Sequence, residues 1–166
     1  MLRDVLHMVV EVPDVVGPRV APVSGLSLRP MQATDGEALG TLMWMAYRGT
    51  VDEDDFDKPG DAMDDAERTL AGQWGPLIDE GSFIAIADGE LVAAVVAVRD
   101  AAHDMIPLLA YVLTDPSWQR RGIGGWLVVE SVVGLAALEI PQVHLAVTRG
   151  NPAQRLYERL GFRTVD

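Results

Sequence analysis

A glycine-rich turn near the C-terminal end of the chain has the composition of an anion-binding site. Residues 112–125 read VLTDPSWQRRGIGG, in which an apolar strand ends at Asp115 and glycines open the helix that follows. Amide N–H groups in the first turn of a helix have no intrahelical acceptor, and with the positive end of the helix dipole they bind anions such as a pyrophosphate. Arg120 and Arg121 add two positive charges beside this turn. The segment therefore predicts a loop for a phosphate-containing ligand.

Two better-known phosphate loops do not fit this turn. A Walker A loop needs Gly-Lys-Ser/Thr, whereas Gly124 is followed by Gly125 and Trp126. A dinucleotide fingerprint needs a third glycine at the position of Leu127, and it normally lies in the first βαβ unit. A plain structural alternative is that the glycines only allow the helix to pack closely against the sheet. The anion site and close packing both stay open on the sequence.

A second segment, NPAQRLYERLGF at residues 151–162, has the residues of a short capped helix. Asn151 is a frequent N-cap type, Pro152 suits the first helical position, and Gly161 suits the left-handed residue after a helix. Taken alone, Tyr157 in this helix is more typical of a core residue than of a catalyst.

The elements that must position these two segments alternate between strands and helices. Short β-branched or apolar runs predict strands, and apolar residues at three-and-four spacing predict helices. Asp88-Gly89 between two such runs predicts a hairpin turn. The predicted strands are 5–12, 26–29, 82–87, 90–99, 105–113, 143–147 and 162–165, and the predicted helices are 35–47, 65–79, 122–138 and 152–160. This order predicts an α/β fold with antiparallel and parallel strand pairs in one sheet.

Length, charge and composition narrow the class of protein. A length of 166 residues is typical of one domain, and we expect a single domain that spans residues 1–166. A formal net charge of −12 argues against a nucleic-acid partner. With no apolar stretch of roughly 20 residues and no signal-peptide pattern, we expect a cytoplasmic protein with no membrane partner. Because cysteine is absent and His7, His103 and His144 are far apart in sequence, no metal site is predicted.

Together the two segments resemble motifs of the GNAT superfamily of acyl-CoA-dependent N-acyltransferases. Gln119 to Gly124 is similar to the pyrophosphate loop Q/R-x-x-G-x-G/A, and Asn151 to Phe162 is similar to the helix that follows it. The resemblance covers the element order from about Leu26 to Asp166, and it is close only at 112–125 and 151–162. It implies a mixed β-sheet that is splayed at its centre and flanked by helices, and it implies acetyl-CoA as the acyl donor.

The resemblance also implies roles for individual residues. The pantetheine arm would lie along the strand before the loop, and the diphosphate would rest on the loop amides. A backbone N–H near Leu113 would polarise the thioester carbonyl, the acceptor amine would attack it directly, and Tyr157 would be the catalytic general acid for the leaving thiolate. The implied acetyl-CoA contacts are Val112, Leu113, Thr114, Gln119, Arg120, Arg121, Gly122, Ile123, Gly124, Gly125 and Asn151.

The sequence departs from the family pattern in two respects. The family's asparagine lies seven residues before the tyrosine, whereas Asn151 lies six before Tyr157, so a helix-cap role for Asn151 is an equal alternative. The strand MIPLLAYVL lacks the glutamate that relatives often use as a general base. His103, Asp104 or ordered water is then left to deprotonate the acceptor.

The N-terminal strand suggests a rearranged order of the family's elements. The family's sheet normally closes with two strands after the Gly-Phe pair, but the sequence ends within or just after the first of them. We expect residues 4–12 to be an extra N-terminal strand that replaces the usual last strand by circular permutation, beside 162–165. The Pro/Gly-rich residues 13–25 would be a linker to a main body at 26–166. The alternatives are a flexible extension or a strand exchanged with another subunit of a homodimer.

Charge is distributed unevenly along the chain. Residues 52–67 hold nine acidic residues and one lysine, whereas residues 116–166 hold six arginines and four acidic residues. This pattern predicts a cationic acceptor, a small-molecule or peptide primary amine, attracted by the acidic segment. A solvated acidic face that serves solubility is the alternative. At the level of function, the alternative to an N-acetyltransferase is a non-catalytic acyl-CoA-binding sensor or regulatory module.

Overall fold

A computed structural model of the protein describes residues 4–165, which form one seven-stranded sheet and four α-helices. The strands are β1 (Val5–Glu11), β2 (Ser27–Pro30), β3 (Phe83–Ala87), β4 (Glu90–Asp100), β5 (Ile106–Thr114), β6 (Gln142–Thr148) and β7 (Arg163–Val165). The helices are α1 (Gly36–Tyr47), α2 (Pro59–Leu70), α3 (Ile123–Ala136) and α4 (Ala153–Arg159). Across the described residues, no helix is long and apolar enough to cross a bilayer.

The sheet has the order β2-β3-β4-β5-β6-β1-β7. Only β5 and β6 are parallel neighbours, and every other adjacent pair is antiparallel. The predicted mixed α/β sheet is therefore confirmed. Asp88 and Gly89 make the β3–β4 turn with φ of 52° and 78°, the left-handed conformation that this dipeptide favours.

Two apolar layers cover the two faces of the sheet. Val92 to Val98 in β4 are all buried, and from Ala93 onward their side chains alternate between the layers because strand residues alternate in direction. Ala93, Val95 and Ala97 pack in the layer that contains α3, while the intervening residues pack with α1 and α2. Because β4 is buried on both faces, it forms a rigid support for its neighbour β5.

The sheet opens between β5 and β6. These strands pair only at Leu108 with His144 and at Leu109 with Leu145. On the other side of β5, Val96 pairs with Tyr111 but the next residue, Ala97, pairs with Leu109, so one extra residue of β5 forms a bulge. Beyond the two pairs, β5 keeps its partner in β4 and separates from β6, which is the predicted central splay.

The strand β1 lies inside the sheet, antiparallel to both β6 and β7. Met8, Val9 and Val10 are at most 1% exposed, so this strand is part of the core. Residues 5–11 therefore pair within their own chain, beside the C-terminal strand as expected. Circular permutation stays a hypothesis, because the strand order describes this chain and not its ancestry.

Residues 13–25 cross the α3 and α4 side of the sheet on their way to β2. The Val16 N–H donates to the Leu160 carbonyl at 3.0 Å, and the Arg19 guanidinium lies 3.2 Å from the Glu130 carboxylate on α3. Val15, Ala21 and Val23 pack on the core. The segment is irregular, as its prolines and glycines predict, and it is anchored to the body of the protein.

The second helix begins earlier than the sequence pattern predicts. We expected it at 65–79, but α2 spans Pro59–Leu70. Pro59 occupies the first helical position, where its missing N–H costs nothing, and the Lys58 N–H donates to the Asp61 carboxylate at 3.2 Å. After Gly72, with φ of 86°, the chain is irregular and Leu77 pairs with β4. The sequence pattern does not predict the start of α2, because residues 59–65 are rich in acidic side chains and form no apolar stripe.

Candidate functional site

The gap between β5 and β6 continues into a cleft of about 720 Å³. Its walls come from the C-terminal parts of β5 and β6, the turn before α3, the start of α3, α4, and the loop after α1. The residues around it include Val5, Tyr47, Thr50, Asp52, Asp55, Leu109–Thr114, Trp118–Arg120, Gly122–Gly125, Leu145–Thr148, Asn151–Ala153, Leu156 and Tyr157. Ligands of α/β proteins commonly bind at such a break in a sheet.

The turn between β5 and α3 is shaped by local contacts. The Asp115 carboxylate accepts hydrogen bonds from the Ser117 N–H at 2.8 Å and hydroxyl at 2.6 Å, and the Gln119 amide donates to the Thr114 carbonyl at 3.1 Å. Arg120 and Gly122 have φ of 61° and 82°. A left-handed arginine costs roughly 1 kcal/mol or more, and such strained residues cluster at ligand sites.

The helix α3 starts with amide groups that no side chain caps. Its first helical hydrogen bond runs from the Trp126 N–H to the Gly122 carbonyl at 3.1 Å, so the N–H groups of residues 123–125 are left without intrahelical acceptors. Gly122 at the N-cap has no side chain to accept from them. These amides line the cleft together with the positive end of the helix dipole.

The three glycines of this turn are in different steric environments. Gly122 is left-handed, and a Cβ at Gly125 would lie 3.2 Å from Leu156, which is a tight contact. A Cβ at Gly124 would find nothing closer than 3.7 Å, which is ordinary van der Waals distance. Close packing therefore accounts for Gly125 but not for Gly124, whose face is open to the cleft. An open, uncapped first turn is suited to direct contact with an anion.

Most of the residues named from the sequence come together around this cleft. Ten of the eleven implied acetyl-CoA contacts line it, and so does Tyr157. The exception is Arg121, whose guanidinium lies 4.9 Å from the centre of the Trp118 ring and donates to the Ser117 carbonyl at 3.3 Å. The two adjacent arginines therefore lie in different surroundings, although the sequence alone does not distinguish them.

Asn151 has partners at both ends of its side-chain amide. Its oxygen accepts from the Ala153 N–H at 2.9 Å, which is the cap at the start of α4, and its nitrogen donates to the Asp52 carboxylate at 3.0 Å. The cap alternative is therefore realised in the structure. A pantetheine contact by Asn151 stays a prediction.

Tyr157 is 7% exposed and lies where α4 meets the cleft. Its ring packs against Phe162 at 5.9 Å between centroids, so the residue also has the core role that its helix pattern indicates. Burial, with a smaller contribution from the Asp52 charge, raises the pKa of the Tyr157 phenol. The phenol therefore keeps its proton at neutral pH and can act as a donor to a group in the cleft.

The other two tyrosines of the chain, Tyr47 and Tyr111, also line the cleft. Tyr47 stacks on Phe56 at 5.6 Å, and the Tyr111 hydroxyl donates to the carboxylate of Asp65 on α2. Burial is the main cause that raises the pKa of both phenols, aided by Asp55 at Tyr47 and by the Asp65 hydrogen bond at Tyr111. Sequence reasoning missed both residues, although Tyr111 precedes the anion-binding turn in the same strand.

Part of the acidic segment reaches the cleft. Asp52 and Asp55 line it, and the Asp52 carboxylate accepts from the Thr148 hydroxyl at 2.7 Å as well as from Asn151. Asp52 thus connects the loop after α1 to β6 and to the start of α4. Other acids face elsewhere, such as Asp61, which lies 3.9 Å from the ammonium of Lys58.

The structure places the predicted base candidates away from the cleft. His103 and Asp104 lie in the turn before β5, and the His103 ring nitrogen is 2.7 Å from the Asp100 carboxylate. Neither residue lines the cleft, because the cleft forms at the opposite end of β5.

Two histidines that are distant in sequence lie on neighbouring strands. His7 on β1 is opposite Ala146, and His144 on β6 is opposite Val9. Burial is the main cause that lowers the pKa of His144. Within residues 4–165, no group of three or more potential metal ligands is present.

Comparison with known proteins finds sequence similarity to acetyltransferases. The sequence model of the acetyltransferase (GNAT) domain matches residues 79–164. The mycothiol acetyltransferase of Acidothermus cellulolyticus is 31% identical over 134 residues, which cover 72% of this chain and 40% of that protein.

Solved structures share the fold. A GCN5-related N-acetyltransferase from Sphaerobacter thermophilus has a TM-score of 0.64 at 20% identity, over 98% of this chain and 49% of that one. Another from Kribbella flavida has a TM-score of 0.60 at 20% identity, over 96% of this chain and 53% of that one. The chain spans about half the length of these two structures, and less of the curated relative.

Proposed function

Because the chain belongs to the GNAT acetyltransferase family, we propose that it transfers an acetyl group from acetyl-CoA to a cationic primary amine. The main supporting observation is the composition of the cleft. One wall has the uncapped amides of α3 and the separated edge of β5, and the other has Asp52 and Asp55, with Tyr157 also lining the cleft. The first wall suits a phosphate-rich donor, and the second suits a cation.

The donor side of the cleft fits the chemistry of acetyl-CoA. The diphosphate would be held by the N–H groups of residues 122–125, where Gly124 leaves room for close approach, and by the charge of Arg120. The pantetheine arm carries amides, which can hydrogen-bond to the edge of Val112–Thr114 as an added strand would. This edge is available since β6 pairs with β5 only at residues 108 and 109.

The proposed reaction is a direct attack of the amine on the thioester. The amine nitrogen forms a bond to the carbonyl carbon, the C–S bond breaks, and the sulfur leaves with the bonding electrons. A β5 backbone N–H near Leu113 would stabilise the charge on the carbonyl oxygen. Tyr157 would protonate the departing sulfur, a role consistent with a phenol whose pKa is raised by burial.

The acceptor preference follows from charge. Asp52 and Asp55 give the cleft two carboxylates, and the surrounding residues 52–67 carry a large excess of acids. Such a field attracts amines that carry further positive charge, including diamines, aminoglycosides and basic peptides.

Release of free thiol from acetyl-CoA, measured with a panel of amines, tests the proposal. We expect turnover with diamines or basic peptides. The kcat/KM should be lower for primary amines of the same size that carry no further positive charge. Calorimetry should give a binding isotherm for acetyl-CoA. No heat at millimolar acetyl-CoA would contradict the donor assignment, and a preference for amines without extra charge would contradict the acceptor assignment.

One observation favours a second candidate, a module that binds acyl-CoA without turning it over. The strand β5, Ile106–Thr114, contains no carboxylate to act as a base. The same thiol assay separates the two functions, because a binding module would give a calorimetric isotherm without thiol release on any amine.

A further inference from the structure

A carboxylate of α2 is hydrogen-bonded to a side chain of β5. Asp65 is half-buried on α2, and its carboxylate accepts the hydroxyl hydrogen of Tyr111, which lies next to the bulge of β5. Thr69, one turn later on the same helix, donates to the Asp65 carbonyl at 2.8 Å and is fully buried. The helix and the strand therefore hold the two side chains in a fixed relation.

The hydrogen bond to Asp65 determines what the Tyr111 oxygen can do toward the cleft. A phenol has a single hydrogen, and here Asp65 accepts it. The Tyr111 oxygen has two lone pairs, of which one is beside the Thr69 hydroxyl and the other can accept from a ligand, and Tyr111 lines the cleft. A ligand group that donates hydrogen, such as an amine, can pair with this oxygen, whereas a carbonyl cannot.

We propose that Tyr111 and Asp65 form the proton-accepting pair for the acceptor amine, an inference that rests on the proposed function. The neutral amine, which has already released its ammonium proton to solvent, attacks the carbonyl carbon. As the N–C bond forms, the proton lost by nitrogen passes to the Tyr111 oxygen while Tyr111 passes its own hydrogen to the Asp65 carboxylate. The C–S bond breaks, and Tyr157 gives its proton to sulfur. Exchange with solvent restores Asp65 and Tyr157.

Tyr111 is the catalytic residue of this pair, and Asp65 acts through it. This pair also explains why β5 needs no carboxylate of its own. Tyr111 on β5 can pass a proton from the cleft to Asp65 on the neighbouring helix. Burial raises the pKa of Tyr111, so the phenol holds its hydrogen before the amine arrives. Its oxygen thus starts each cycle as an acceptor.

Asp65→Asn is the most direct test, because an asparagine oxygen can still accept from Tyr111 but cannot take its proton. We expect kcat to fall by about 100-fold or more, within the usual range for general acid–base catalysis, while the KM for acetyl-CoA changes by less than about threefold. Asp64→Asn removes the same charge from the exposed neighbouring position of α2. It should leave kcat within about twofold.

Tyr111→Phe and the double variant complete the test, and Tyr111→Phe alone carries it if Asp65→Asn does not fold. The double variant should be no more than about threefold worse than either single one, since the two groups act as one unit. An Asp65→Asn protein with kcat within about threefold of wild type, or losses that multiply in the double variant, would overturn the pair alone. A wild-type protein without thiol release would overturn the proposed function and this inference with it.

Discussion

The two walls of the cleft are built in different ways. The donor wall, residues 110–125, is continuous in sequence and offers mostly backbone groups: a strand edge and the uncapped amides of α3. The acceptor wall, formed by Tyr47, Asp52, Asp55 and Tyr111, offers side chains that come from α1, the loop after it and β5, and Asp65 of α2 is hydrogen-bonded to Tyr111. One wall is a local structure, and the other exists only when distant elements pack together.

This difference has a consequence for how each wall responds to change. Backbone amides are present whatever the side chains are, so the donor wall is sensitive mainly to steric or electrostatic obstruction. The acceptor wall consists of particular carboxylates and phenols, so each substitution there removes a functional group. Substitutions in each wall and at Tyr157 separate the binding of the two ligands from the chemistry at the point where the walls meet.

Tyr157→Phe should have the largest effect, because the role proposed for Tyr157 is in the chemical step and not in binding either ligand. We expect kcat to fall by about 100-fold to 10,000-fold, as for loss of a general acid, with the Kd of acetyl-CoA changed by less than about threefold. Steady-state thiol release and calorimetry measure the two quantities. The phenylalanine ring keeps the contact with Phe162, so the Tm serves as the folding control. Equal kcat in the variant would remove the general-acid role.

Gly124→Asp should obstruct the donor wall without unfolding it. A Cβ at this position meets only ordinary contacts, and an acidic residue in the first turn favours the helix, so the Tm should not fall. The same charge repels a diphosphate, and we expect acetyl-CoA to bind about tenfold more weakly or worse.

Gly124→Asn is the matched control for size at this position. The aspartate and asparagine variants should differ more at low salt than at high salt. If both bind acetyl-CoA as the wild type does, the diphosphate does not lie on this wall.

Asp52→Asn should act mainly on the acceptor wall. The asparagine keeps the size and can still accept from Thr148, but the negative charge is lost, and so is the hydrogen bond that Asp52 accepts from the Asn151 amide. We expect the KM for a diamine to rise by about threefold to tenfold, with little change for a neutral amine, since the site is partly exposed to solvent and salt. Asp57→Asn, at an exposed position outside the cleft lining, should change the KM by less than about twofold. Equal effects of the two variants would mean that only the overall charge matters.

Arg120→Ala and Arg121→Ala should give the smallest effects. Their comparison tests which of the two arginines contributes to the donor wall. Arg120 lines the cleft, whereas Arg121 stacks on Trp118 outside it. We expect the Kd of acetyl-CoA to rise by about threefold for Arg120→Ala and by less than about twofold for Arg121→Ala, read by calorimetry at low salt. A larger loss at Arg121 would show that the turn rearranges on binding.

Most of the residues that form the donor wall could be named from the sequence, whereas Arg121 lies outside it and the ligand that the wall holds stays a prediction. Glycines at 122 and 124 and the tyrosine at 157 mark short-range structure, in which one turn and one helix start decide where the amides point. The hairpin at Asp88-Gly89 was predictable for the same reason. The start of α2 was predicted wrongly, because a helix opened by Pro59 and rich in acids shows no apolar periodicity until its later turns.

The acceptor wall could be predicted only in part. An acidic segment near the acceptor was expected from charge, but which of its nine acids reach the cleft was not readable from spacing. The interpretation of His103 and Asp104 as base candidates relied on closeness in sequence to β5, and the structure puts them at the wrong end of that strand. The contact of Tyr111 with Asp65 spans 46 positions of the chain, and no local pattern records it.

Local sequence patterns specify the glycine-rich turn before α3, the helix that carries Tyr157 and most of the strands, and the resemblance of two motifs indicates the family. These features depend on hydrogen bonds and backbone angles within a few residues of one another. Packing of distant elements places β1 between β6 and β7, separates β5 from β6 beyond Leu109, brings Asp52 to the cleft and sets Asp65 against Tyr111. These features depend on how the apolar faces of distant elements are buried together, and burial is a property of the packed chain.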